Sequence, residues 1–169
     1  MLKDCLVSRL DLVICGTAVG NTSAARGMYY AGPGNKFWKI LHETGLTPRR
    51  LTPAEFTLLP SFGIGLTDIV KGQAGMDSEI SFQGVDQEGF AQKILRLQPG
   101  VLCFNGKTAA QVFLGRRSPD YGLQSEMIGN TRIFVAPSTS GAANSYWDAR
   151  HWHTLAQLIM ESPRPESVS

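Results

Sequence analysis

Four short apolar runs divide the chain. They are "DLVICG" (11–16), "GIGLTDIV" (63–70), "GVLCFNG" (100–106) and "TRIFVAP" (131–137). Each is strand-length, rich in Val, Ile, Leu or Phe, and bounded by Gly, Pro or polar residues. The first and third are continuously apolar, as strands covered on both faces tend to be. Between the runs, apolar positions recur at helical spacing. In "NKFWKILHETG" (35–45), Phe37, Trp38, Ile40 and Leu41 make an apolar face, Asn35 is placed to cap the start and Gly45 to stop the end. "TPAEFTLL" (52–59) reads as a short helix with Pro53 in its first turn. "VDQEGFAQKILRLQPG" (85–100) carries Phe90, Ile94 and Leu97 at helical spacing and ends at Pro99. "KTAAQVFLG" (107–115) is a further short helix, and "SYWDARHWHTLAQLIM" (145–160) closes the pattern.

Strands that alternate with helices predict the α/β class, a sandwich around a largely parallel sheet. Residues 1–161 are expected to form one domain, and 162–169 a frayed tail. No internal repeat is visible. "GRRSPDYGLQ" (115–124) reads as a polar loop and "KGQAGMDSEISFQG" (71–84) as a long flexible connection. In open α/β sheets, ligands bind beyond the carboxyl ends of the strands. The loops expected there are 16–34, 71–84 and 137–146. The first and third are dense in Gly, Ser, Thr and Asn, and they are expected to meet over one cleft.

Composition narrows the picture. A chain of 169 residues with 43% apolar content can bury a real core. Its net charge of +2 does not demand a nucleic-acid partner but permits one where basic residues cluster. The cysteines are Cys5, Cys15 and Cys103, an odd number with no C-x-x-C pair. That argues against a disulfide framework and against any four-cysteine metal or iron–sulfur site. Cys15 and Cys103 lie in apolar runs and read as core residues. Lys3, Asp4 and Arg9 interrupt any signal peptide, and no stretch of 18 apolar residues occurs, so no membrane span is expected and a reduced cytoplasmic interior is.

The first loop, "GTAVGNTSAARGMYYAGPGNKFW" (16–38), has glycines that let backbone N–H groups approach a ligand closely, and Tyr29 and Tyr30 can lay a ring on a flat base. It is neither G-x-G-x-x-G nor a Walker loop. Taken alone it fits a nucleotide or phosphate loop and, equally, a glycine-rich connector with core aromatics. In the last loop, "APSTSGAANSYWD" (136–148), Ser138, Thr139 and Ser140 can donate to phosphate oxygens. Alone, a turn that caps the last helix explains it as well.

Together the segments say more. "CGTAVGNTSA", "AGPGNKFWKIL", "GIGLTDIV", "FNGK" and "APSTSG" occur in this order between about residues 11 and 160. The set resembles the mismatch-specific uracil-DNA and thymine-DNA glycosylase family of the uracil-DNA glycosylase superfamily. The resemblance implies a three-layer α/β/α sandwich with a short, mostly parallel central sheet. It implies an enzyme that flips uracil out of single- or double-stranded DNA and hydrolyses the bond to the sugar. Water is then the nucleophile, no metal or organic cofactor is needed, and a monomer suffices. In the family, backbone amides at positions near Thr17 and Tyr30 read the uracil edge, the ring at Tyr30 stacks on the base, and Ser23 lies where the base or its opening is contacted. The implied pocket is Gly16, Thr17, Ala18, Ser23, Tyr30 and Asn35. The implied DNA grip is Arg26 with Ser138, Thr139, Ser140, Gly141 and Ala142.

The chain departs from the family in two places. The typical first loop reads G-I-N-P-G and its Asn positions the hydrolytic water; here "GTAVG" puts Ala18 there. Alanine has no polar side-chain atom to orient water. Asp68, at the end of "GLTD", is the leading replacement: a carboxylate there would align water and stabilise a cationic sugar. The other reading of Asp68 is a backbone cap or a pair with Lys71. Asn21, three residues beyond Ala18, is the second candidate, and also reads as a plain turn residue. A related branch with alanine in this motif carries an iron–sulfur cluster, which this chain lacks the cysteines to hold. In the final loop the family often has an Arg five residues after its Pro, filling the gap left by the flipped base. Ala142 stands there instead. His151 and His153 fall within the last helical pattern and read as surface or packing residues. Lys107 is placed either to meet phosphate or to open a helix, and Lys36, flanking the first loop with Arg26, to meet the DNA backbone. The rival readings are a non-catalytic module that binds uracil-containing or abasic DNA and a hydrolase of free nucleosides.

Overall fold

The computed structural model describes residues 2–116 and 118–161. All four apolar runs form strands: β1 Leu12–Gly16, β2 Ile64–Asp68, β3 Val101–Asn105 and β5 Thr131–Ala136. A further strand, β4 Gly122–Ile128, starts inside the stretch expected to be a polar loop. It sits at the sheet edge, and its Leu123 and Met127 face solvent. Its apolar residues therefore trace no buried stripe, which is why alternation did not reveal it. Gly129, at φ 56°, turns the chain back from β4 into β5.

The five-stranded sheet has the order β2-β1-β3-β5-β4, parallel except for the β4–β5 pair. Successive side chains alternate between its faces. Leu12 and Ile14 with Cys103 and Phe134 join one core; Val13 and Cys15 with Leu102, Phe104 and Val135 join the other. Helices cover both. On the first face lie α2 (Phe37–Glu43) and α5 (Ala149–Glu161), contributing Phe37, Leu41, Trp152 and Leu155. On the second lie α3 (Gln87–Leu97) and α4 (Lys107–Leu114), contributing Phe90, Ile94, Ala109 and Ala110. The result is the expected three layers. Cys15 and Cys103 are fully buried in the two cores.

The helix ends follow the local chemistry. Asn35 Oδ1 accepts from Phe37 N at 3.0 Å, and Gly45 ends α2 with φ 81°. Residues 53–62 form a tighter 3-10 helix rather than a regular one, opened by the reciprocal Thr52–Glu55 capping box and holding Pro60, which cannot donate. The expected helix 145–160 splits: Gly141–Tyr146 is a short 3-10 turn and α5 begins at Ala149. Inside 16–34, expected to be loop throughout, six residues form helix α1, Asn21–Arg26, which buries only Ser23 and so shows no apolar periodicity. The tail expected at 162–169 lies outside the described residues.

From β1 the chain winds to one side for β2, then crosses to the other side for β3. Such a reversal opens a crevice between the carboxyl ends of the two strands. Gly16 and Asn105 end those strands.

Candidate active site

A cleft of about 810 Å³ opens at this crevice. The first and last loops both border it, through Gly16, Ala18, Gly34, Ser138 and Gly141 among others. The two loops touch. Lys36 N donates to Thr139 O at 2.9 Å, and a side chain added at Gly141 would stand 3.2 Å from Gly34 O. Glycine at 141 is thus what lets the backbones meet so closely. Loop 71–84 closes a further wall: Gly75 N donates to Val19 O at 3.0 Å, and Met76, Asp77 and Ser78 line the cleft.

Gly16, Asp68 and Tyr30 form the cleft floor. The β1–β2 register sets Gly16 beside Asp68. A Cβ at Gly16 would lie 2.7 Å from Asp68 Oδ1 and 3.3 Å from the Tyr30 hydroxyl, so only glycine allows this packing. Tyr30 holds φ 52°, a conformation rare for an aromatic residue, with its ring stacked on Phe37 at 4.0 Å between centroids.

Asp68 is 4% exposed and its Oδ2 has no hydrogen-bond partner among the described residues. Lys71 Nζ is 3.6 Å away, an ion pair but too long for a hydrogen bond. Burial raises the Asp68 carboxyl to about 6; Lys71 opposes the rise and Asp4 adds to it. The Tyr30 hydroxyl likewise makes no hydrogen bond of good geometry among the described residues, the Asn105 amide being its near neighbour. Burial, then the Asp68 carboxylate, keeps that phenol well above its ordinary range, so it remains a donor. An unpaired acceptor and an unpaired donor, both buried beside one cleft, are rare enough to call for a ligand or water.

The sequence model of the Uracil DNA glycosylase superfamily matches residues 4–158. The chain belongs to that superfamily. Its fold is similar to the solution NMR structure of a candidate uracil DNA glycosylase from Methanosarcina acetivorans, with a TM-score of 0.67 at 20% identity, covering 94% of this chain and 96% of that one.

Membership in the superfamily gives the cleft its context, and each residue singled out in the sequence can be placed in it. Gly16, Thr17, Ala18, Asn21, Ser23, Tyr30, Asn35 and Asp68 all line it, as do Ser138, Thr139, Ser140, Gly141 and Ala142. Several have structural work as well. Ser23 Oγ accepts from Ala31 N at 2.9 Å and so pins the turn that carries Tyr30. Ser140 caps the 3-10 turn by accepting from Ala142 N at 3.3 Å. Both readings of Asp68 coexist: it faces the cleft and pairs with Lys71. Arg26 ends α1, exposed and outside the lining. Lys107 lines the cleft, its ammonium 4.4 Å from the centre of the Tyr121 ring. Lys36 bonds to Asn144 Oδ1. His151 leans on the Tyr121 ring and Asp148, away from the lining, and His153 is exposed.

Asn105 and Tyr146 line the cleft without having been singled out. Asn105 is buried; its Nδ2 donates to Thr139 Oγ1 and its Oδ1 accepts from Thr139 N, both at 3.0 Å. Its other N–H lies toward the Tyr30 hydroxyl. A polar residue closing an apolar strand at its carboxyl end was the signal that marks it. Tyr146, 70% exposed, ends the last loop.

Proposed function

We propose that this protein is a monofunctional uracil-DNA glycosylase. It turns a uracil nucleotide out of DNA into the cleft and hydrolyses the bond between the sugar C1′ and the base. Free uracil and an abasic site are the products. As that bond lengthens, its electron pair leaves with the base and positive charge grows on the sugar. Ionised Asp68 offsets that charge, aligns a water molecule and takes its proton as oxygen bonds to C1′. The unpartnered Oδ2 of a buried carboxylate beside the cleft carries this reading. The Tyr30 hydroxyl, with the Asn105 amide behind it, is a buried side-chain donor for the base, where negative charge develops. Among the described residues, no group of three or more His, Cys, Asp or Glu has metal-holding geometry.

The likeness of the loop motifs to the mismatch-specific and thymine-DNA glycosylases supports this substrate class. With Ala142 at the position where those enzymes often carry Arg, no guanidinium reads the orphaned guanine. The exposed Tyr146 ring offers a stacking surface instead, which is indifferent to sequence. Uracil in single strands, which cost less to unstack, is therefore cleaved within about tenfold of uracil opposite guanine. A preference for the mismatch far above that overturns this part of the reading.

The central test follows a labelled uracil oligonucleotide incubated with the protein. Strand scission only after alkali confirms hydrolysis to an abasic site. Scission without alkali indicates a lyase. Retarded migration with no scission identifies a module that binds without catalysis, the reading Ala18 alone would favour.

A further inference from the structure

Among the described residues Asp68 meets a single cation at ion-pair distance, and that cation is held by something else. Lys71 Nζ lies 2.6 Å from Asp4 Oδ1 but 3.6 Å from Asp68 Oδ2. Asp4 belongs to the N-terminal segment, which is fixed against the β2 edge: Cys5 N donates to Leu66 O at 2.9 Å and Leu66 N to Cys5 O at 2.8 Å. The Asp4 carboxylate is itself tied down. Thr67 Oγ1 donates to its Oδ1 at 2.8 Å and Lys93 Nζ, on α3, sits 2.9 Å from its Oδ2. Lys71 is further steadied by the Tyr29 hydroxyl at 3.5 Å. The ammonium is thus drawn to the partly exposed carboxylate and away from the buried one.

We propose that Asp4 is a positioning residue for the reaction, acting on Asp68 through Lys71. By holding the ammonium back at 3.6 Å it leaves Asp68 Oδ2 ion-paired but without a hydrogen bond, and so free to take one from a water molecule. This rests on the assignment of Asp68 as the water-handling group. The groups facing Asp68 are Lys71 beyond its own strand, Asp4 on the N-terminal segment, Lys93 on α3, Tyr29 and Tyr30 on the first loop, and Cys15 on β1. Tyr29, Tyr30 and Cys15 are all held above their ordinary ranges, burial first and the Asp68 charge next. They stay neutral at working pH, so Lys71, Asp4 and Lys93 are the charges that act on Asp68. Burial pushes Asp4 up, but the Lys71 and Lys93 ammonium groups outweigh it and hold Asp4 low. It therefore remains ionised while Asp68 titrates.

The test is the pH profile of single-turnover uracil excision. Activity needs ionised Asp68 and falls as pH drops through about 6. Asp4→Asn removes a negative neighbour and releases Lys71 toward Asp68, so the acid limb moves down by about half a pH unit. Lys71→Met removes the cation and moves it up by about one pH unit. Lys93→Met leaves Asp4 bound to Lys71 alone and moves it up by less. A purely structural role moves all three alike or none, and either result overturns the proposal. Titration of the Asp68 carboxyl carbon by NMR in the same DNA-free variants must give the same order, whatever their activity. Asp68→Asn separates the two levels. If it keeps the wild-type acid limb, the assignment of Asp68 is wrong. If it loses the limb while Asp4→Asn leaves it unmoved, only the role of Asp4 is wrong.

Discussion

Two polar residues end neighbouring strands on either side of β1, and the fold treats them in opposite ways. Asn105, closing β3, is bound at both ends of its amide by Thr139. Asp68, closing β2, is buried as well and leaves Oδ2 without a hydrogen-bond partner among the described residues. A satisfied buried amide stitches strand to loop and contributes stability. An unsatisfied buried carboxylate costs stability and persists where chemistry uses it. The contrast separates scaffold from reactive group within one cleft.

The strongest way to break that contrast is Asp68→Asn. Loss of the positioned base is expected to lower single-turnover excision by roughly 10²–10⁴. Stability should move the other way. The Asp68 carboxyl is raised to about 6 in the fold, against roughly 4 in an unfolded chain. Between those pH values the folded state keeps a proton that the unfolded state has lost, so wild-type stability falls as pH rises through this window. Above pH 6 the full penalty stands, and the Asn variant is more stable by about 3 kcal/mol at pH 7, the two converging below pH 4. Thermal melts across pH check this; a variant less stable than wild type at pH 7 sinks the claim that Asp68 is a strained, functional group.

Gly16→Ala comes next. The added carbon would lie 2.7 Å from Asp68 Oδ1, and the carboxylate must shift. Misplacement of a catalytic group by about an ångström costs on the order of 10² in rate. The expected signature is a fall in kcat larger than the rise in KM, since the added carbon displaces Asp68 at 2.7 Å and crowds the Tyr30 hydroxyl only at 3.3 Å.

Thr139→Val probes the satisfied partner. It leaves Asn105 Nδ2 unpaired and should cost about 1–3 kcal/mol, lowering Tm by about 5 °C, with a rate loss well below that of Asp68→Asn. Equal rate losses would place Asn105 and Thr139 in the chemistry rather than beneath it.

How much of this was written in the sequence follows the same division. The buried strands were legible because both their faces are covered, so "DLVICG" and "GVLCFNG" announce themselves. Edge strand β4 was not, because Leu123 and Met127 point outward. Helix α1 was hidden for a similar reason: "NTSAAR" buries a single serine. The convergence of the two glycine-rich loops could be expected from strand polarity alone. The partner of Asp68 could be named, since Lys71 is three residues on, but not its distance. The competing hold of Asp4 on Lys71 joins residues 67 positions apart in sequence, and no local pattern encodes such a contact.

Asn21→Ala is the smallest expected effect and sharpens the contrast most directly. Asn21 lines the cleft three residues beyond Ala18, where an amide would be the natural substitute for the family's asparagine. Yet it opens α1 on the exposed side, and no side-chain hydrogen bond among the described residues holds its amide. A group that positions water must have its own rotamer locked, or the water inherits the disorder. Asp68 meets that condition, being packed between Gly16 and Lys71; Asn21 does not. Single-turnover excision by Asn21→Ala should therefore fall less than about threefold, and the change should add nothing in an Asp68→Asn background. A tenfold loss from Asn21→Ala, with Asp68→Asn near wild type, would move the water-handling group from the strand end to the loop and invert the comparison.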